Sequence, residues 1–235
     1  MKRWQRGGLA LGVGVGVVAI TLYAALEWYR AGSQRLDFFE DEIAAFEALP
    51  APEGRPIVFV GSSSIRLWDT LDEDMHPLPV LNRGFGGAQM SHVLHNASRI
   101  VTPLRPRAVP VYAGDNDLDE HTGKNAAVVV DEFQQLVERV HAEVPDARVY
   151  FLSIKPSKLR WARWPEMQRA NRAIREWVGG DPRLHYVDVS TPMLAEDGQP
   201  RDDVFLFDGL HLNSTGYAVW SDPVRAALLR DERHE

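Results

Sequence analysis

From about residue 57 onward, apolar positions follow two alternating patterns. Short continuous apolar runs predict five strands: Ile57–Gly61, Val80–Asn82, Ala108–Gly114, Arg148–Ile154 and Leu184–Val189. Stripes with helical spacing carry Val129, Phe133, Leu136, Val140 and Val144, then Ala170, Ile174 and Trp177, then Trp220, Val224 and Leu228. The last stripe predicts a helix from about Ser214 to Leu229. Such alternation predicts a parallel sheet with helices on both faces. Pro110 has no N–H to donate to a neighbouring strand, so we expect a local irregularity there.

The first part of the chain predicts a membrane-spanning helix. Gly7–Leu26 carries no charge, and as a helix it would be about 30 Å long, close to the thickness of a bilayer core. Basic and aromatic residues flank it: Lys2, Arg3, Trp4, Arg6, Trp28 and Tyr29. The basic end is expected to stay in the cytoplasm, which places the rest of the chain outside, in the periplasm if the cell is bacterial.

Two alternatives concern this segment. A cleaved signal peptide would make the protein secreted, but cleavage after Ala25 would put Tyr23 where a small residue is required, so we favour an uncleaved anchor. Gly8, Gly12 and Gly16 lie on one face of the helix and could form a seam for a helix dimer. Glycines are also simply tolerated in membrane helices.

The next segment predicts an amphipathic helix over Ser33–Leu49, ended by Pro50. Its apolar face carries Leu36, Phe39, Ile43 and Phe46. The chain thus divides into an anchor over residues 1–32, a helix and linker over 33–54, and one domain over 55–235.

Composition narrows the classes of function. With 235 residues, the chain is long enough for one domain with a substantial core. A formal net charge of −7 argues against a general nucleic-acid binder. The absence of cysteine excludes a disulfide, a thiol nucleophile and a thiolate metal site.

Candidate chemistry collects after the predicted strands, because ligands of an open parallel sheet bind beyond the carboxyl ends of its strands. The first strand runs into GSSS, where Gly61 permits a tight turn and the serines stand at a helix N-terminus. Free backbone N–H groups there favour negative charge, which suits a nucleophile and an oxyanion. Helix capping alone would also explain the serines.

Four blocks, each at the C-terminal side of a predicted strand, resemble those of the SGNH hydrolases, also called the GDSL esterase/lipase family. They read GSSS from Gly61, NRGFGG from Asn82, GDND from Gly114 and DGLH from Asp208. The resemblance assigns the residues of the family name to Ser63, Gly87, Asn116 and His211, and the third triad member to Asp208. It implies a three-layer α/β/α sandwich with a flavodoxin-like sheet of about five strands in the order 2-1-3-4-5.

The implied chemistry needs each of these residue types. Histidine would activate the Ser63 hydroxyl, and Asp208 would fix the tautomer of the imidazole and stabilise the imidazolium. Three groups would donate to the oxyanion: the backbone N–H groups of Ser63 and Gly87 and the side-chain amide of Asn116.

The chain departs from the family pattern at Ser62, where the family has aspartate. Because three serines are adjacent, Ser62 and Ser64 remain rival nucleophiles, although the alignment of the block favours Ser63. By itself, Asn116 could be only a turn residue. Two acidic residues of the same block are interpreted as structural: Asp115 and Asp117.

The segment KPSKLRWARWP follows the fourth predicted strand and is expected on the rim of the site. Its candidate substrate contacts are Lys155, Arg160, Trp161 and Trp164. Cations and tryptophans suit an amphiphile with an anionic head, or a sugar. The alternative is a solvated loop whose tryptophans pack on the following helix. His92 and His95 lie one helical turn apart, but without a partner at ligand spacing we interpret them as a solvated face and expect no metal.

These observations predict a membrane-anchored serine ester hydrolase that acts on a lipid, a lysophospholipid or a small acyl ester and needs no cofactor. A carbohydrate O-deacetylase of the same fold is one alternative. A non-catalytic, membrane-anchored binding module is another, but such a module has no need of a complete Ser63–Asp208–His211 set.

Overall fold

The structure is a computed structural model that describes residues 21, 24 and 30–232. The chain divides into two compact units, Met1–Phe38 and Phe39–Glu235. Apart from positions 21 and 24, the charge-free run Gly7–Leu26 and its glycine seam lie outside the described residues, so the anchor and the helix dimer stay predictions. Within the described ranges, no helix combines the length and the apolar character required to cross a bilayer.

The second unit contains the sheet and the helices around it. Its strands are β1 (Ile57–Gly61), β2 (Val80–Gly84), β3 (Ala108–Tyr112), β4 (Arg148–Leu152) and β5 (Leu184–Val187). Its α-helices are α1 (Glu40–Glu47), α2 (Ser63–Arg66), α3 (Leu71–Met75), α4 (Met90–Ile100), α5 (Ala126–Glu143), α6 (Trp164–Val178) and α7 (Ser214–Glu232). Short 3-10 helices lie at Thr102–Leu104, Glu120–Thr122, Trp161–Arg163 and Thr191–Met193.

The five strands form one parallel sheet in the order β2-β1-β3-β4-β5, which confirms the predicted order. β1 has its predicted bounds, whereas β2 extends past Asn82 because Arg83 and Gly84 pair with the end of β1. The three later strands each end two residues earlier than predicted. After β3, Gly114 has φ +121°, a conformation that leaves the extended region and begins the loop.

The expected irregularity in β3 is present. On the β4 side, Pro110 pairs in register with Tyr150. On the β1 side, Ala108, Val111 and Tyr112 pair with β1, and the pairing is interrupted at Val109 and Pro110. The position of the missing proline N–H thus faces β1. The strand is retained because its other edge pairs with β4.

Helices cover both faces of the sheet, as expected of a three-layer sandwich. On one face, α2, α3 and α7 share an apolar cluster with alternate residues of the strands, in which Trp68 stacks on Tyr217 at 5.3 Å. On the other face, α4, α5 and α6 lie side by side, and Phe133 of α5 meets Phe151 of β4 at 4.9 Å. Burial of large side chains such as Trp220, each worth about 2–3 kcal/mol, holds the helices on the sheet.

The amphipathic helix predicted over Ser33–Leu49 is shorter than expected. Turns occupy residues 33–39, and α1 begins at Glu40. Three acidic residues in its first turn suit the positive end of the helix dipole and explain this start. Phe39 and Ile43 are buried as predicted, but Leu36 is exposed because it lies in the turns outside the helical face.

Candidate active site

The loop between β1 and α2 presents a serine at a sharp turn. Gly61 has φ +148°, and a Cβ added there would lie 1.9 Å from the carbonyl oxygen of Tyr112, so only glycine fits. Ser62 occupies the N-cap position, and Ser63 is the first residue of α2. The backbone N–H of Ser63 therefore belongs to the first turn, whose N–H groups have no acceptor within the helix.

The three adjacent serines have different surroundings. Ser62 and Ser64 are buried, and among the described residues their hydroxyls have no hydrogen-bond partner. Ser62 also makes no side-chain cap bond, so helix capping does not explain it. The Ser63 hydroxyl instead lies 3.0 Å from Nε2 of His211.

The histidine and its acid stand on one loop between β5 and α7. Asp208 Oδ2 lies 2.6 Å from His211 Nδ1, and its other oxygen accepts the backbone N–H groups of Leu210 and His211 at 2.9 and 3.0 Å. A carboxylate only accepts, so the Nδ1 atom carries the proton and Nε2 is left to accept from the Ser63 hydroxyl. Burial would raise the pKa of Asp208, but these hydrogen bonds outweigh it and hold the pKa below its ordinary value.

The loops after β2 and β3 flank this serine, because β2 and β3 are the two neighbours of β1. Gly87 has φ +86°, which a residue with a side chain rarely adopts. The Asn116 amide donates to the carbonyl oxygen of Ala88 at 2.9 Å and so joins the two loops. The amide has a second N–H left for a ligand. Ser63, Gly87 and Asn116 thus follow β1, β2 and β3 at one edge of the sheet.

Comparison with known proteins gives the family of this chain. The model of the GDSL-like Lipase/Acylhydrolase family matches residues 59–219, which include all the residues of this site. This chain belongs to that family. It is accordingly a hydrolase of ester bonds.

Individual relatives agree with the family assignment. Platelet-activating factor acetylhydrolase IB subunit alpha1 from Pongo abelii is 31% identical over 183 residues, which cover 74% of this chain and 75% of the relative. The human protein of the same name is 30% identical over 179 residues with the same coverage.

Solved structures share the fold. A GDSL-like lipase from Bacteroides thetaiotaomicron has a TM-score of 0.71 at 20% identity, covering 84% of this chain and 100% of its own. A carbohydrate esterase family 3 protein from Talaromyces cellulolyticus has a TM-score of 0.62 at 17% identity, covering 77% and 100%. At these identities the likeness concerns architecture alone.

The predicted substrate rim of this GDSL-family chain needs correction. Lys155 is buried and pairs with Asp115 at 3.0 Å, so its charge neutralises a carboxylate beneath the site instead of facing solvent. Trp164 is buried as the first residue of α6 and stacks on the half-buried Trp161 at 6.0 Å. Arg160 is largely buried and binds the loop after β3. Lys155 and Arg160 therefore form internal ion pairs and do not build a solvent-facing basic surface.

The acidic residues of GDND have structural partners, as the sequence indicated. Asp115 binds Lys155, and the carboxylate of Asp117 accepts the N–H of Met90 at the start of α4 at 2.9 and 3.0 Å. These bonds hold the loop after β3 against the loops on either side of it. Asn116 is therefore presented from a turn with both neighbours anchored.

The interpretation of His92 as part of a solvated face is wrong. His92 is fully buried, accepts the backbone N–H of Gln89 at 3.0 Å through Nδ1, and packs edge-on against Phe39 at 5.0 Å. Its ring completes a capping box for α4, while His95 is exposed. In the described part of the chain, no group of three or more potential metal-ligating residues is assembled.

Three exposed apolar side chains next to the histidine loop escaped the sequence interpretation. This apolar rim consists of Leu159, Leu206 and Phe207, with exposed fractions of 63%, 44% and 104%. The N–H of Leu159 donates to the carbonyl oxygen of Gly209 at 3.2 Å, which brings the β4–α6 loop against the loop that carries His211. In the sequence, the adjacent apolar residues Leu206 and Phe207 directly before Asp208 were the feature that could have indicated this rim.

Proposed function

We propose that this chain is a serine-dependent acyl ester hydrolase in which Ser63 is the nucleophile, His211 the general base and acid, and Asp208 the residue that orients the histidine. The observation that carries the proposal is the continuous hydrogen-bonded path from Ser63 Oγ through the imidazole to Asp208, with steps of 3.0 and 2.6 Å. Both steps are within the reach required for proton transfer.

In the proposed reaction, the Ser63 oxygen attacks the ester carbonyl while His211 takes the hydroxyl proton. The negative charge that develops on the carbonyl oxygen is stabilised by the N–H groups of Ser63, Gly87 and Asn116. His211 then gives its proton to the departing alcohol, which leaves an acyl group on Ser63. A water molecule, activated by the same imidazole, releases the carboxylic acid and restores the serine. None of these steps requires a cofactor or a metal.

For the substrate, we infer an acyl ester with an amphiphilic character, of the class that includes lipids, lysophospholipids and small acyl esters. The apolar rim beside the histidine loop supports this, since exposed leucine and phenylalanine side chains suit an aliphatic group better than a sugar. The acetylhydrolase name of the 31% identical relative supports a short acyl group.

We further propose that residues 1–32 anchor the enzyme in the cell membrane with the catalytic domain outside the cytoplasm. The support is the charge-free run Gly7–Leu26 with basic residues before it. An anchor would hold the domain near amphiphilic esters.

A labelling experiment with matched variants tests the nucleophile. Ser63→Ala should abolish both hydrolysis of a chromogenic acetyl ester and covalent labelling by a fluorophosphonate, because no other hydroxyl contacts His211 in the structure described. Ser62→Ala and Ser64→Ala are the controls and should keep labelling and most of the turnover. Labelling that persists in Ser63→Ala, or is lost in Ser62→Ala alone, contradicts the assignment. A panel of acyl esters and acetylated oligosaccharides then separates the lipid-type from the carbohydrate-type substrate.

A further inference from the structure

Arg160 has its guanidinium engaged on all three nitrogen atoms. Nε donates to Asp119 Oδ2 at 2.9 Å, Nη2 to Asn116 Oδ1 at 3.0 Å, and Nη1 lies 3.4 Å from Asp115 Oδ2. The side chain is only 13% exposed. The guanidinium is a rigid, planar donor. It reaches from the β4–α6 loop to three acceptor side chains in the loop after β3, and so it fixes the conformation of that loop.

The contact with Asn116 determines which way the amide points. An arginine can only donate and a backbone carbonyl can only accept. The amide oxygen must therefore face Arg160, and the amide nitrogen must face Ala88. In the structure, Asn116 Oδ1 lies 3.0 Å from Nη2 of Arg160, and Asn116 Nδ2 lies 2.9 Å from the carbonyl oxygen of Ala88. With one N–H used by Ala88, the other N–H remains as the donor to an oxyanion. Without Arg160, rotation of the amide about its last bond would meet no such restriction.

The same contact also strengthens that donor. A cation that binds the amide oxygen draws electron density from the amide, and hydrogen bonds polarise one another along a chain. Asp115 and Asp119 neutralise much of the guanidinium charge and hold it in the plane of its acceptors. Arg160 thus contacts Asn116, and through it the predicted oxyanion position, without touching Ser63 or His211 itself.

We propose that Arg160 is a positioning residue, which orients and polarises the Asn116 amide for stabilisation of the tetrahedral intermediate. This inference rests on the proposed function, in which Asn116 is an oxyanion donor. It predicts that Arg160 affects turnover rather than substrate affinity, and that its effect requires Asn116.

The test is a double-mutant cycle on full-length enzyme with a chromogenic acetyl ester. Arg160→Lys keeps the positive charge between the two aspartates but lacks the fork that reaches Asn116. We expect kcat to fall about tenfold or more, and by no more than in Asn116→Ala, while KM changes little. In the Asn116→Ala background, Arg160→Lys should cause no further loss.

The matched control is Arg163→Lys, the same substitution on the same segment. The Nε of Arg163 donates to the carbonyl oxygen of Leu118 at 2.8 Å, so it too binds the loop after β3, but it does not contact Asn116. This variant should keep kcat within about twofold, since it touches none of the reacting groups. Free guanidinium at millimolar concentration should partly restore kcat in Arg160→Ala, and should not do so in Arg160→Ala/Asn116→Ala.

Losses of Arg160→Lys and Asn116→Ala that multiply in the double variant would overturn the inference, as would an unchanged kcat in Arg160→Lys. If Arg160→Lys does not fold, as judged by circular dichroism, Asp119→Asn loosens the guanidinium without removing it. That variant should lower kcat only where Asn116 is present, and a loss that persists in Asn116→Ala counts against the inference. A wild-type chain without esterase activity refutes the proposed function and this inference with it, whereas an active wild type with an equally active Arg160→Lys refutes this inference alone.

Discussion

At the scale of single residues, direction and burial decide which polar side chains can react. Ser62, Ser63 and Ser64 have the same chemistry, yet one hydroxyl meets His211 and the other two lie inside the fold. Successive residues of a helix point about 100° apart, so only one of three can face a given partner. The loop of His211 and Asp208 supplies that partner with its tautomer already set by the carboxylate.

The proposed triad predicts a large loss of turnover from a small change at Asp208. Asp208→Asn should lower kcat by about 10⁴-fold with little change in KM, because an amide can donate to Nδ1 and so favour the wrong tautomer. The control is Asp203→Asn, on the same loop region and paired with Arg201 at the surface, which should leave kcat near the wild-type value. Steady-state kinetics with an acetyl ester measures both, and equal turnover in the two variants would exclude the triad.

The buried carboxylate of Asp117 predicts a pH dependence of stability. Burial raises the pKa of Asp117 to about 7, helped by the nearby Glu132 and opposed by Lys124 and the Met90 N–H. The ordinary value in an unfolded chain is about 3.9. Between these values the folded chain retains a proton that the unfolded chain has lost, so the free energy of unfolding falls as the pH rises through that window.

Asp117→Asn should remove this fall and still accept the Met90 N–H. Urea unfolding should show that the free energy of unfolding of Asp117→Asn, relative to that of the wild type, is higher at pH 7.5 than at pH 4.5. Asp131→Asn, at an exposed position of α5, is the control and should follow the wild type. A constant difference between Asp117→Asn and wild type at both pH values would be incompatible with a raised pKa.

At the scale of elements, side chains from one element hold the loop at the end of another. Asn171 of α6 accepts the N–H and donates to the carbonyl of Ile154, at 2.8 and 2.9 Å, just past the end of β4. Tyr217 of α7 donates to the carbonyl oxygen of Ser64 in α2 at 3.2 Å. Such bonds satisfy backbone groups that the short strands and helices leave open, and they fix the loops that carry the site.

The buried pair of Lys155 and Asp115 joins the loops after β4 and β3. Burial would raise the pKa of Asp115, but Lys155 and Arg160 outweigh it and keep the pKa below its ordinary value. Lys155→Met should lower the free energy of unfolding by about 3 kcal/mol, because a buried carboxylate loses one of its two cations.

Lys158→Met is the control, since Lys158 is an exposed cation on the same loop, paired with Asp202, and its loss should cost less than about 0.5 kcal/mol. Urea unfolding at neutral pH gives both values. If Lys155→Met instead left stability unchanged and weakened kcat/KM only for long-chain esters, Lys155 would belong to a substrate rim after all.

At the scale of the whole molecule, the candidate active site lies in a unit that begins at Phe39, and the predicted anchor precedes that unit in the sequence. The unit carries its own sheet, its own apolar clusters and all the residues of the site. Nothing in the proposed chemistry uses residues 1–32.

This separation predicts the behaviour of full-length and shortened chains. The full chain should sediment with membranes and resist carbonate extraction, because the charge-free run Gly7–Leu26 is long enough to span a bilayer. A chain that begins near Ser33 should be soluble and hydrolyse an acetyl ester at the same rate. Extraction of the full chain by carbonate would argue against an anchor, and a mature N-terminus near residue 26 or later would replace the anchor by a signal peptide.

Much of the architecture could be predicted from the sequence, because local periodicity reports which face of an element is apolar. The five strands, the buried stripe of α5 and the interruption at Pro110 follow from residue type and spacing. The four blocks also placed Ser63, Gly87, Asn116, Asp208 and His211 after strand ends. Parallel strands bring those ends to one edge of the sheet, whatever the details of packing.

Only the tertiary structure decided the partners of polar side chains. The sequence of the Lys155–Trp164 segment is compatible with a solvated rim, but Lys155 and Arg160 find carboxylates some forty residues away in the chain. His92 is likewise buried by Phe39, which is distant in sequence. Composition and spacing determine which residues a strand or helix can bury. Whether a charged or imidazole side chain faces solvent or binds an internal partner depends on which groups lie near it. Those neighbours come together only when the sheet and its loops have assembled.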